Sequence, residues 1–433
     1  MKKLINIVQS FLYYRLYIKL YIEKYLYKIQ PYRIRKYIKK IQQKKIINVV
    51  FLPMNVAMWK YQHLYDLLKE DNRFHLYIFL SPAKPYTFEQ RCKDLQEMRT
   101  YFYNRDMSFI DYELEKGESI VNIRSIVDPD ILFYTQPGVD ALESTHCFLN
   151  YKDKLLCYSP YGIGAWEMAL SYNEIFHNLA WKLYQPLQEF KNKAEILADN
   201  KGCNIVISGY TNADDYIKPL KNNVWKIEDD SYKKIIWAPH FTISKGIGLG
   251  HVSNFLVLAE FMKKIAIEYS AKIEIAFKPH PRLYTELCKH PEWGKEKAKE
   301  YYNFWRNFPT TQLEEGEFIE LFKQSDALIH DSCSFTIEYL FVNKPVLYDN
   351  PDYSIIKNQG GLCINEALAA HYKVSSSGDI RKFIDDVVLG GNDPMKAQRV
   401  DFFKKYLLPP NGKTVAQNIY DDMLNSLNMD GRA

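Results

Sequence analysis

Residues 323–349 read KQSDALIHDSCSFTIEYLFVNKPVLYD, and the pattern is strand, polar turn, helix, strand. Ala327 to His330 is a short apolar run suited to a buried strand. Asp331-Ser332-Cys333-Ser334 is a cluster of small polar residues of the kind that opens a helix. Phe335 to Phe341 supplies the helical turns, and Lys344-Pro345 ends them before the strand Val346-Leu347-Tyr348. Hydroxyls and backbone N–H groups at such a start form an anion site. Upstream, the mostly apolar run Ile273 to Phe277 delivers Lys278-Pro279-His280-Pro281-Arg282 at its C-terminal end. Ligands of open α/β sheets sit outside the carboxyl ends of strands. One strand end offers His280, Lys278 and Arg282, the other Asp331, Ser332 and Ser334. Together they predict a cradle for a diphosphate.

Working outward, the same alternation recurs. Ile46–Leu52, Phe74–Leu80, Ile131–Tyr134, Leu155–Tyr158 and Asn204–Ser208 read as strands separated by helical stretches. Their following loops carry Asn55, Gln136 and the run Ser159-Pro160-Tyr161-Gly162. After a polar, acid-bearing hinge at Thr211–Ser231, a second series begins with Lys234–Ala238, which ends in Pro239-His240-Phe241. Repeated βα units argue for parallel, doubly wound sheets. The expected architecture is α/β of the GT-B type: two Rossmann-like halves facing a cleft that would hold the active site. The expected division is a basic helical segment at 1–44, an acceptor domain at 45–225 and a nucleotide-donor domain at 226–433, with closing helices able to cross back.

Charge separates the first segment from the rest. Residues 1–45 hold 13 Lys/Arg and one acid, Glu23, a net of +12. The whole chain is +5, so the remaining body carries −7. Tyr, Leu and Ile share this segment with the cations, and Pro31 is expected to split it into a helical pair. Such a mixture suits an anionic membrane surface rather than nucleic acid; a hairpin packed on the body is the alternative. No apolar span reaches transmembrane length, and no clean signal peptide is visible. The seven cysteines include no CxxC, which argues for a reducing compartment and against a zinc site. The expected location is the cytoplasm, peripheral on the inner membrane face.

Other motifs are weaker. The loop Gly246-Ile247-Gly248-Leu249-Gly250 resembles a phosphate loop without matching GxGxxG, and equally fits a tight turn. Ser334 with Glu338 also fits a near capping box. Asp128-Pro129-Asp130 is formally a DxD, but it precedes a strand and would sit at the wrong end of the sheet. No HExxH, nucleophile elbow or Walker A is present.

WAPHF (237–241), FKPHPR (277–282) and LIHDSCSFTIEYLFVNKPVLYDNPD (328–352) resemble, in order and spacing, the CDP-glycerol glycerophosphotransferase family of teichoic-acid and capsule polymerases. Bacterial polysialyltransferases also carry a His-Pro and a Ser motif and use a cytidine nucleotide. The resemblance implies transfer from a CDP-polyol or CMP-sugar donor to a glycan or lipid-linked acceptor, with no cofactor or metal. It implies that His280 contacts the donor diphosphate, that Ser334 and Ser332 bind phosphate with Asp331 shaping the turn, and that Glu338 meets the ribose. Lys278, Arg282 and Gly248 would complete the donor side, and Asn55, Gln136 and Gly162 the acceptor side. Two departures stand out. His240 occupies the motif where the family has Pro-Thr-Trp-Arg, so the arginine is missing. Tyr161 occupies the position of the family's acceptor-side histidine, and an unperturbed phenol, with a pKa of about 10, is a poor base near neutrality. Either the Tyr161 phenol is depressed and serves as the catalytic base, or another group such as His63 or Asp140 does, or the acceptor chemistry differs.

Overall fold

The computed structural model describes residues 27–115, 120–138, 140–163, 172–220, 222–243, 253–332, 334–350, 352 and 361–429. Among these, twelve strands build two parallel sheets. The first holds β1 (Ile47–Leu52), β2 (Phe74–Ile78), β3 (Ile131–Tyr134), β4 (Leu155–Tyr158), β5 (Lys182–Gln185) and β6 (Ile205–Ile207) in the order β2-β1-β3-β4-β5-β6. The second holds β7 (Lys233–Ala238), β8 (Ile273–Phe277), β9 (Thr311–Leu313), β10 (Ala327–His330), β11 (Val346–Tyr348) and β12 (Tyr372–Lys373), ordered β12-β11-β10-β7-β8-β9. The central strands are apolar almost throughout because both faces are covered, as parallel sheets require.

Each sheet has its own aromatic core. In the first unit Phe51 stacks on Phe133 at 5.1 Å, and Tyr61 meets Phe133 edge-on at 5.3 Å. In the second, Trp237 is fully buried among Phe255, Phe277 and Trp305, with centroids at 5.7, 5.1 and 5.5 Å. The chain passes from the first unit to the second at Thr211–Asn212 and returns at Leu408–Pro409. The closing helix Val415–Ser426, grouped by sequence with the second half, therefore packs in the first. There Asp422 accepts from Lys182 Nζ (2.9 Å) and from the Tyr184 hydroxyl (3.0 Å), and the Tyr420 hydroxyl donates to Asp71 (2.7 Å).

The expected hinge is ordered in part. Glu274, at the start of β8, accepts from the Lys226 and Ile227 N–H groups at 2.9 and 3.0 Å, which pins residues 226–227 to the second sheet.

Residues 27–41 are helical straight through Pro31, which does not divide them. Proline already has a helical φ, and its cost is one backbone hydrogen bond. Anchors on either side hold the helix regardless. The Gln30 amide donates to Leu179 O at 2.7 Å, and Ile41 is buried. The DxD explains the rest. Asp130 is fully buried and accepts from Lys44 Nζ (2.6 Å), the Tyr37 hydroxyl (2.7 Å) and Asn48 N (3.0 Å). Asp128 accepts from Lys154 Nζ at 2.5 Å. These acids clamp the basic helix to the N-terminal ends of β3 and β4. Among the described residues no helix is long and apolar enough to cross a membrane.

Removing a partner from a buried ion pair costs about 3–5 kcal/mol, and the partly exposed Lys44 places this pair at the lower end. Asp130→Ala should lower unfolding stability by about 3 kcal/mol in urea titration and expose residues 27–45 to limited proteolysis.

Candidate functional site

The sequence motifs meet on neighbouring strands of the second sheet. β10, β7 and β8 are adjacent, so the loops beginning at Asp331, Pro239 and Lys278 leave the same edge. The outer two are separated by two strand spacings, about 10 Å. β7 fills the gap with His240, whose ring lies edge-on to that of His280 at 4.9 Å. Phe241 supports both imidazoles at 4.4 Å, and the Arg282 guanidinium lies over the Phe241 ring at 4.1 Å.

Asp331 holds the edge together. Fully buried, it accepts from His240 N at 2.6 Å and from Asn254 N at 2.7 Å, joining the β10 loop to the β7 loop and to the start of helix Phe255–Glu268. Asn254 Nδ2 donates to Asp349 O at 2.8 Å, which adds the end of β11. Burial pushes the Asp331 carboxyl up to about 6. Burial and the neighbouring Asp331 charge push Asp349 much further, against the opposing pull of the Trp237 indole N–H. At neutral pH Asp349 keeps its proton and Asp331 is the ionised member, stabilised by its two backbone donors.

Both site histidines are neutral. Burial pushes His280 down to about 4, helped by Arg282, and burial with His280 and Arg282 pushes His240 down to about 3. The Arg282 N–H donates to His280 Nδ1 at 3.1 Å, so the ring proton sits on Nε2, which is left as a donor. His240 Nδ1 lies 2.9 Å from Thr242 Oγ1. On the β10 side, Ser332 Oγ and Ser334 Oγ are 3.3 Å apart, and Ser334 is exposed. Ser334 makes no side-chain cap to the helix Phe335–Glu338 that it begins, so the capping-box reading does not hold. The Ser332 N–H donates to His330 Nδ1 at 3.1 Å and is not available to an anion.

Other sequence expectations land elsewhere. Lys278 is buried, and its Nζ donates to Gly316 O at 2.7 Å. Burial pushes its ammonium down to about 8 against the opposing charges of Glu314 and Glu315, so it secures the 314–316 loop rather than pointing at a phosphate. Glu338 is buried, and after burial itself its charge helps to raise the Tyr216 phenol. Gly248 lies outside the described residues.

In the first unit, Asn55 caps a short 3-10 turn by accepting from Met58 N at 2.9 Å. Gln136 is half-buried just past β3; Gly162, which groups with the second unit, is half-buried, and a Cβ on it would meet nothing. Tyr161 is exposed, but local burial and Tyr86 raise its phenol above the ordinary value, which makes it a donor and not a base. His63 is half-buried in the helix Gln62–Lys69, and Asp140 is exposed.

Neither a protein-family model nor a curated protein matches this chain. Solved structures do. A UDP-N-acetylglucosamine 2-epimerase aligns over 90% of this chain and 98% of its own, with a TM-score of 0.58 and 13% identity. The S. aureus MnaA–UDP co-structure aligns over 89% and 98%, at 0.54 and 15%. The wall teichoic acid polymerase TagF aligns over 99% of both chains, at 0.56 and 12%. The fold is GT-B. At these identities the likeness concerns the fold, and the chemistry has to be argued from the side chains.

Asp331 and Asp349 should respond oppositely to neutralisation. Asp331→Ala strands two backbone donors and should cost about 2–4 kcal/mol at pH 7. Asp349→Asn replaces a group already neutral and should cost less than about 1 kcal/mol. Denaturant titration of the two variants checks the assignment, and equal losses would contradict it.

Proposed function

We propose that the protein is a transferase that moves a polyol-phosphate group from a CDP-activated donor to a hydroxyl of a cell-surface glycan or lipid-linked acceptor, releasing CMP. The observation that carries this reading is the set of groups on two strand ends that flank β7: the His280 Nε2–H and Arg282 on one side, and the Ser332 and Ser334 hydroxyls on the other. Two kinds of neighbour support it through what their structures hold, UDP in MnaA and CDPG in a second TagF structure. The His-Pro and Ser motifs, which resemble the glycerophosphotransferases, favour a cytidine nucleotide.

In this reading the acceptor oxygen attacks the β-phosphorus of the CDP-polyol. The bond from that phosphorus to the bridging oxygen breaks, and CMP leaves with the electron pair. His280 donates to the departing phosphate, Arg282 adds positive charge, and Ser334 donates from the helix start. Such preorganised donors contribute factors of about 10² to 10³ each. Asp331 and Lys278 act by holding the loops. A CMP-sugar glycosyltransferase is the second reading, because the same two motifs occur in polysialyltransferases; product analysis separates a phosphodiester from a glycosidic bond.

The helix at 27–41 fits a peripheral site on an anionic membrane at the inner face. Lys28, Arg35, Lys36, Lys39 and Lys40 are exposed on it, while Tyr37, Gln30 and Ile41 face the body. Reversing Lys36, Lys39 and Lys40 to Glu should release the protein from phosphatidylserine vesicles in flotation, at about 1 kcal/mol per cation removed.

Calorimetry with CDP-glycerol tests the donor. His280→Asn should weaken binding and slow CMP release by about 10² or more. A bound diphosphate favours the protonated imidazole and lifts its pKa from about 4. The complex then holds more protons than the free protein, so affinity should rise as pH falls from 8 to 5. That slope should vanish in His280→Asn. Binding of CDP without any CMP release would instead mark the chain as a non-catalytic assembly subunit.

A further inference from the structure

Within the second unit, Ser332 is held from behind. Its N–H donates to His330 Nδ1 at 3.1 Å, and its carbonyl accepts from Thr336 Oγ1 at 2.9 Å. Both backbone groups are thus engaged by the fold, and the hydroxyl is left beside that of Ser334. His330, the last residue of β10, is fully buried, with its ring edge-on to Tyr348 at 5.5 Å and to His371 at 5.4 Å.

The two imidazoles are complementary. A backbone N–H can only donate, so His330 carries its lone pair on Nδ1 and its proton on Nε2. A carbonyl can only accept, so His371, whose Nδ1 lies 2.7 Å from Ala367 O, has its proton on Nδ1 and its lone pair on Nε2. One Nε2 is therefore a donor and the other an acceptor. Both are buried, and neither has a partner among the described residues. Burial keeps the rings neutral: His371 is pushed down to about 3, and His330 is held well below the ordinary value. Two such atoms left unbonded are costly, and a water placed between them satisfies both. Arg399 is fully buried and paired with Asp393, and its charge bears on His371. Its Nε and Nη1 have no partner either, so further N–H donors for that water stand nearby.

We infer that His330 is the positioning residue of Ser332 and that His371 locks the His330 ring through one buried water; what Ser332 binds rests on the transfer reading above. With Nε2–H engaged by the water, Nδ1 keeps its lone pair for the Ser332 N–H, and the ring cannot turn over. Sealed from solvent, both imidazoles act on the donor only through the serine loop.

The test compares His330→Asn, His330→Leu and His371→Leu in the full chain. An asparagine oxygen can stand where Nδ1 stands and take the Ser332 N–H; leucine cannot. Amide exchange in peptides covering 328–338, read by mass spectrometry, should stay within about threefold of wild type in His330→Asn and rise about tenfold or more in His330→Leu. CDP-glycerol affinity by calorimetry should follow the same order, with His371→Leu between the two. Thermal unfolding provides the control, because both His330 variants lose the same ring packing and differ in the acceptor alone. A high-resolution crystal structure of the wild type should show one water within hydrogen-bond distance of both Nε2 atoms. Equal exchange and equal affinity in His330→Asn and His330→Leu overturn the positioning role. Rings bonded directly to each other, or a His371→Leu protein indistinguishable from wild type, overturn the lock. Failure of the wild type to bind CDP-glycerol overturns the transfer reading, while the exchange comparison still decides whether His330 holds Ser332.

Discussion

Two hydrogen bonds from one buried carboxylate set the geometry of the second unit's working edge. Asp331 accepts from His240 N and Asn254 N. The loops after β10 and β7 and the start of a long helix therefore cannot move independently. Buried charge of this kind is costly unless fully satisfied. Here the satisfying groups are backbone amides that follow β7, one of them that of His240 itself. The neutral state of His240 and His280 follows from the same packing, which half-buries both rings.

The first unit uses acids in another way. Asp128 and Asp130 stand at the N-terminal ends of strands and draw in lysines from two neighbouring loops, with Tyr37 reaching in from the basic helix. A pattern that elsewhere suggests a metal is here a fastening. The end of the sheet decides the difference, because binding loops gather at the opposite, carboxyl end.

Much of this was legible in the sequence. The strands β7, β8 and β10 are mostly apolar runs, and the residues at their ends announced themselves by type. β5, β9 and β12 were not legible: Lys182–Gln185 and Thr311–Leu313 carry polar side chains at strand positions, and Tyr372–Lys373 is only two residues long. Lys278 shows a different limit. Its place at a strand end can be read from the chain, but the direction of a four-carbon side chain cannot, and it turns to Gly316 O.

The clamp at Asp130 has a geometrical corollary. The basic helix is fastened to the first sheet near the starts of β3, β4 and β5, whereas Tyr158 and its neighbours lie at the far ends of those strands. Four residues of strand span about 13 Å. If the helix rests on lipid, the loops at the carboxyl end of this sheet are held clear of the headgroups rather than among them.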